Sequence, residues 1–292
     1  MFGPNTVFDD YVCPNFNHRD KEFFELFSSV RTKFANTFGL QDYDILFIPG
    51  SASVGMESII YSILNPIEVT GWNGSFTRRW KNLVSNYPKS RLIPKVNLYC
   101  LYETSCSSFY KQDDGLCIVD AVSAFPYYDI PKNNTLAFVT CLNKQLGSYP
   151  GLAVVGVRKD GWSHFKSNTE DQSYLNLARY KEYADKNQFP MTAPVYILQH
   201  FDKVLDTYDI EELKEAIRYR SWYLADIIKG DNLIGDAIGP TITVKPNVLP
   251  QSICERFSLY GYHAGRPNIQ IFTYSETAYR YAKFSAALRK VL

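Results

Sequence analysis

The chain predicts an α/β protein: a large domain with a mostly parallel mixed sheet flanked by helices, followed by a small α+β C-terminal domain. Three observations predict it. Short apolar runs recur between residues 44 and 157 and stop at polar residues or turns, as buried parallel strands do. Polar or helix-patterned stretches separate these runs, which is the mark of crossover connections. After residues 205–210 the pattern changes to a long amphipathic helix and two alternating strands. The expected division is an N-terminal arm over residues 1–17, a large domain over 18–208 and a small domain over 209–292.

In chain order, residues 20–38 place Phe23, Phe24, Phe27, Val30 and Phe34 at helical spacing. Residues 44–49 read as a buried strand that stops at Gly50-Ser51-Ala52-Ser53, and helical character follows over 54–64. A strand delivering a small-residue turn into a helix N-terminus aims free backbone N–H groups and the positive end of the helix dipole at the turn. Such units are common, and most of them bind nothing. The runs 116–119, 136–139 and 152–157 are further strands; the first ends at Asp120 and the second near Thr140. Ligands of open α/β sheets lie at the carboxyl ends of strands, where Asp120 stands. Residues 209–229 form an amphipathic helix through Leu213, Ile217, Leu224 and Ile228. The alternation of 241–244 and of 269–272 predicts strands exposed on one face, and a last helix covers 276–292.

Composition excludes several classes. With 46% hydrophobic and 21% charged residues, the chain has ample material for a core. Its 31 basic and 30 acidic residues set up no global field for nucleic acid or an anionic membrane. No apolar run reaches the roughly 18–20 residues of a membrane span, and the first residues lack the pattern of a secretory signal. The six cysteines are scattered without a C-x-x-C pair, which argues against a zinc site or a disulfide framework. Cys100, Cys117 and Cys141 sit in apolar runs and read as buried reduced thiols, so the expected location is the cytoplasm.

Five segments occur in a telling order: Gly50-Ser51-Ala52-Ser53, Asn73-Gly74-Ser75-Phe76-Thr77-Arg78-Arg79-Trp80, Glu103-Thr104-Ser105, Val119-Asp120-Ala121-Val122-Ser123, and Asn143-Lys144-Gln145-Leu146-Gly147-Ser148-Tyr149-Pro150-Gly151-Leu152. Together with Asn17-His18-Arg19-Asp20-Lys21-Glu22-Phe23, they resemble the class V aminotransferases of pyridoxal 5′-phosphate (PLP) fold type I. That group includes phosphoserine, alanine–glyoxylate and 2-aminoethylphosphonate aminotransferases. The resemblance spans residues 14–230.

The resemblance implies PLP as cofactor, held by Lys144 as a Schiff base (the internal aldimine), and an aminotransferase acting on an amino acid/2-oxo acid pair. Lys144 would then move the proton at the substrate's Cα. By itself a lysine beside a strand end is ordinarily solvated; as a nucleophile it needs a desolvated amine, which burial would supply. Asp120, 24 residues earlier, would sit against the ring nitrogen and keep it protonated. Phe76 would stack on the ring, while Ser51, Ala52 and Ser53 would cradle the phosphate. Asn143 stands where relatives carry Gln, and the hydroxyls of Thr104 and Ser123 suit the cofactor's O3′ or phosphate, although either could equally serve local backbone. Thr192 resembles the residue that reaches a neighbouring subunit's phosphate, implying a homodimer with shared active sites.

The C-terminal segment departs from the pattern. Aligning Gly261–Phe272 on its strand puts Asn268 in the slot of the substrate-carboxylate arginine and displaces Arg266 by two residues. Two residues along a strand keep the same face, about 6–7 Å away. Arg266 is therefore the candidate carboxylate clamp, with His263 a candidate substrate contact or a packing residue. Because the clamp selects which Cα bond breaks, a PLP-dependent decarboxylase or lyase, acting on an amino-acid group that is itself part of something larger, is the alternative activity. A non-enzymatic protein that kept the fold is a third reading, which the pairing of Lys144 with Asp120 disfavours.

Overall fold

The computed structural model describes residues 18–90, 92–262 and 264–292, so the arm expected over 1–17 and the candidate His263 lie outside the described residues. Helix α1 (Lys21–Thr37) buries Phe23, Phe27, Val30 and Phe34 along one stripe. It is followed by β1 (Tyr43–Pro49), α2 (Ala52–Ser62), β2 (Ile67–Val69), α3 (Ser75–Ser85) and β3 (Val96–Cys100). A short hairpin, β4 (Tyr102–Glu103) with β5 (Ser108–Phe109), precedes β6 (Cys117–Asp120), β7 (Thr135–Cys141) and β8 (Leu152–Arg158).

Six of these strands form one sheet in the order β1-β8-β7-β6-β3-β2. The pairs β2·β3, β3·β6 and β6·β7 are parallel, whereas β8 runs antiparallel to both β7 and β1. Every residue of β6 and β7 is buried, because helices cover both faces and leave no side for polar alternation. Helix α2 lies so close to the sheet that a Cβ at Gly55 would fall 2.8 Å from Ala153 Cβ and 2.9 Å from Val139 Cγ2. This close approach brings the start of α2 up to the carboxyl ends of the parallel strands.

Beyond the sheet come α4 (Leu177–Asp185), α5 (Val195–Asp206) and α6 (Ile210–Ile228), the last capped by the Asp209 carboxylate, which accepts from Glu212 N at 2.9 Å. The remaining elements are β9 (Leu233–Ile234), β10 (Thr241–Val244), α7 (Gln251–Arg256), β11 (Ile269–Phe272) and α8 (Ala278–Leu288). Strands β11-β10-β9 make a second, antiparallel sheet. One apolar core runs from Phe23 to Leu205 and a second from Leu224 to Leu288.

Strands β10 and β11 correct the expectation of an exposed face: all four residues of each are buried. The face carrying polar residues packs on the β4–β5 hairpin, where Thr243, Gln270 and the Thr241 carbonyl find partners. Thr243 Oγ1 and Gln270 Nε2 both donate to Thr104 O, at 3.0 and 2.8 Å. In return, Tyr102 OH and Ser107 Oγ donate to Thr241 O at 2.7 and 2.9 Å. Buried polar groups so paired carry little penalty. Cys100, Cys117 and Cys141 are buried free thiols. Among the described residues, no helix is long and apolar enough to cross a membrane.

Candidate active site

A cavity of about 990 Å³ opens where the carboxyl ends of β6 and β7 meet the starts of α2 and α3 and the segment leading into β11. Ser51, Ala52 and Ser53 line it at the start of α2. Ser51 is the N-cap yet its side chain makes no capping bond, so the first-turn amides have no side-chain partner from their own cap.

Helix α3 contributes Phe76 and Trp80 to the same cavity, and Glu103 fixes how it enters. The buried Glu103 carboxylate accepts from Phe76 N (3.1 Å), Thr77 N (3.0 Å), Thr77 Oγ1 (3.2 Å) and Ser105 Oγ (2.6 Å), serving as the helix cap from a distance in sequence. Gly74 is required by this arrangement, since a Cβ there would sit 2.1 Å from the Glu103 carboxyl carbon.

Asp120, the last residue of β6, is buried and lines the cavity. Its Oδ2 accepts from Trp80 Nε1 at 2.8 Å and from Cys100 Sγ at 3.5 Å, and its Oδ1 accepts from Val122 N at 3.0 Å. Burial pushes its pKa above the usual carboxylate value; the hydrogen bonds from Val122 and Trp80, the charge of Lys144 and the Cys100 thiol oppose that shift.

Lys144 lies in the turn after β7, half-buried rather than fully buried. Its Nζ donates to Ser123 Oγ at 2.7 Å and stands 5.8 Å from the Phe76 ring centroid. Gln145 pins the turn: its Nε2 donates to Ser123 O at 2.7 Å, its Oε1 accepts from Tyr127 N at 3.1 Å, and its backbone carbonyl accepts from Tyr208 OH at 2.7 Å. Gly147, at φ 69°, completes the turn in a conformation that favours glycine.

Thr104, Ser123 and Asn143 also line the cavity. So do both candidates from the C-terminal segment: Arg266 is exposed at the mouth, with its guanidinium 4.9 Å from the Tyr260 ring centroid, and Asn268 is half-buried. Thr192 is exposed on the approach to α5 and does not line the cavity. Arg78, Arg79, Lys144 and Arg266 line it against one carboxylate, Asp120, so the cavity favours anions. Among the described residues, no group of three or more His, Cys, Asp or Glu side chains is placed to hold a metal ion.

Sequence reasoning assigned no role to Trp80, Cys100, Glu103 or Gln145. Trp80, Glu103 and Gln145 lie within the segments that carry the resemblance and Cys100 lies in an apolar run, but nothing local indicates which distant group each one touches.

No protein-family model matches the chain. An uncharacterized aminotransferase of Methanocaldococcus jannaschii is 24% identical over 253 residues, which is 74% of this chain and 66% of the relative. The chain spans 66% or less of the length of the curated relatives it matches. Among solved structures, a phosphoserine aminotransferase from Cytophaga hutchinsonii superposes with a TM-score of 0.80 at 18% identity, covering 95% of this chain and 91% of its own. An aspartate aminotransferase from Thermus thermophilus superposes with a TM-score of 0.81 at 16% identity, covering 99% and 97%. The mostly parallel mixed sheet with its flanking helices is the architecture of PLP fold type I, as the sequence predicted.

Proposed function

We propose that the chain is a PLP-dependent aminotransferase, moving an amino group between an amino acid and a 2-oxo acid. One observation carries this: Asp120 is a buried carboxylate whose hydrogen-bond donors (Trp80, Cys100 and Val122) are all neutral, and it shares a cavity with Lys144. A carboxylate removed from water calls for a cation, and the protonated ring nitrogen of PLP is one. The other groups fit the same ligand: amides at the start of α2 for its phosphate, the Phe76 ring for its face and the Lys144 amine for its carbonyl carbon. When bound, PLP supplies an electron sink for negative charge developing at the substrate's Cα.

In this reading the chain's own residues divide the work. Asp120 keeps the ring nitrogen protonated through its charge. Phe76 holds the ring plane, because the Glu103 cap fixes its helix. Ser123 holds the Lys144 amine, the group that would anchor the cofactor and would serve as the acid–base for the proton at the substrate's Cα. Arg266 grips the substrate carboxylate at the mouth, a task for which the planar guanidinium is suited. Thr192, exposed and away from this cavity, serves the phosphate site of a second copy in a homodimer. In the same reading the domain change falls at residues 208–209, supported by one apolar core that ends at Leu205 and another that begins at Leu224.

The test is to add PLP to purified protein, follow its visible absorbance, and then supply amino donors with 2-oxo acids. The expected result is a bound cofactor band that changes with donor, and stoichiometric formation of a new amino acid. Carbon dioxide release without amino transfer would point to the decarboxylase activity instead. Failure to take up PLP overturns the proposal.

A further inference from the structure

We propose that Trp80 and Cys100 are positioning residues that hold Asp120 ionised and oriented toward the cofactor's ring nitrogen, an inference that rests on the PLP reading above. Both donate to the same oxygen, Asp120 Oδ2, at 2.8 and 3.5 Å, while Val122 N takes Oδ1 at 3.0 Å. Two donors on one oxygen fix the plane of the carboxylate and leave acceptor capacity on Oδ1 for the ligand.

The placement of each donor follows from the fold. Cys100 and Asp120 are partners across the parallel β3·β6 ladder, so their side chains share a face of the sheet. The thiol stays protonated and able to donate, because burial and the charges of Asp120 and Glu103 push its pKa well up. Trp80 is four residues after Phe76 on α3, hence on the same face of the helix. One helix face thus presents both the ring expected to meet the cofactor and the indole that holds its counter-charge. A tryptophan that only filled the core would need a partner for its N–H, but not this carboxylate.

The reason for such a clamp is electrostatic. Burial drives Asp120 toward its neutral form, which cannot pair with a protonated ring nitrogen. The groups facing it are Lys144 in the turn after β7, Cys141 at the end of β7 and Cys100 on β3, with Glu103 of β4 acting on the same thiol. Removing a neutral donor from Oδ2 leaves the burial cost in place and favours the protonated acid.

The experiment titrates PLP into purified apoprotein across a pH series, for the native chain and for Trp80→Phe, Cys100→Ala and Cys100→Ser. Trp80→Phe is expected to weaken binding roughly 10- to 100-fold at neutral pH, as for a lost hydrogen bond to a buried charge. Cys100→Ala is expected to weaken it about threefold, since a thiol is a weak donor, and Cys100→Ser to bind closer to native than Cys100→Ala. In Trp80→Phe and Cys100→Ala, the acid limb of the affinity profile moves to higher pH. A role confined to packing would lower affinity without moving that limb, and Cys100→Ser would do no better than Cys100→Ala; this result overturns the proposal. If Trp80→Phe fails to fold, as urea unfolding of the apoprotein would reveal, the two Cys100 variants decide alone. If the native chain binds no PLP, the functional reading itself falls. If it binds and all variants match it in affinity and acid limb, only the present proposal falls.

Discussion

Lys144 Nζ donates to Ser123 Oγ across 2.7 Å, joining the turn after β7 to the turn after β6. The hydroxyl thereby fixes where a flexible side chain places its amine, and it does so from the turn that follows Asp120.

Lys144→Ala is expected to bind PLP without a covalent link and to lose roughly 10²- to 10⁴-fold in turnover, the scale of a lost general acid–base. Borohydride reduction before unfolding, followed by mass measurement, should leave cofactor on the native chain and none on the variant. Ser123→Ala should keep the covalent link and lose about tenfold in turnover, as the amine loses its anchor.

Glu103 and Gly74 are expected to be coupled. Glu103→Ala removes the cap of α3 and should lower the unfolding free energy by about 2–4 kcal/mol. Gly74→Ala forces a Cβ onto a carboxylate held by several bonds and should cost about 1–3 kcal/mol. In the double variant the clash has no partner, so urea unfolding should give a loss smaller than the sum.

Arg266→Ala is expected to raise KM for the amino donor roughly 10- to 100-fold, the range for a lost charge-assisted pair, with a smaller effect on kcat. Asn268→Ala should change KM little. Steady-state kinetics of the two variants assigns the carboxylate grip to one side chain; the opposite ranking would move it to Asn268.

Asp120 makes apoprotein stability depend on pH. Its folded pKa is raised by burial, so on lowering the pH the folded chain takes up this proton before the unfolded chain does. The folded state therefore holds more protons between the two pKa values, and stability falls as pH rises through that window. Urea unfolding of the apoprotein from about pH 4 to pH 7 should show the native chain losing stability relative to Asp120→Asn. An unchanged difference across the series would contradict the raised pKa.

Ser51–Ser53, Phe76, Asp120 and Lys144, which line the cavity, were reached through the resemblance, which short contiguous strings carry; local features alone marked only the turn at Ser51–Ser53 and the strand end at Asp120. Hydrophobic periodicity likewise located α1, β1, β6–β8 and α6, whose buried stripes or runs are continuous in the chain. The clamp on Asp120 was not legible. Trp80 is 40 residues from it, and Cys100 reaches it only because β3 and β6 are neighbours in the sheet. Alternation in β10 and β11 suggested water on one face, and it was the β4–β5 hairpin, through a carbonyl 139 and 166 residues from Thr243 and Gln270, that took its place. Spacing along the chain determines which residues share a strand, helix or turn. Which of those elements lie side by side is decided only when the sheet order is set, and that order chose the partners of every buried polar group described around Asp120.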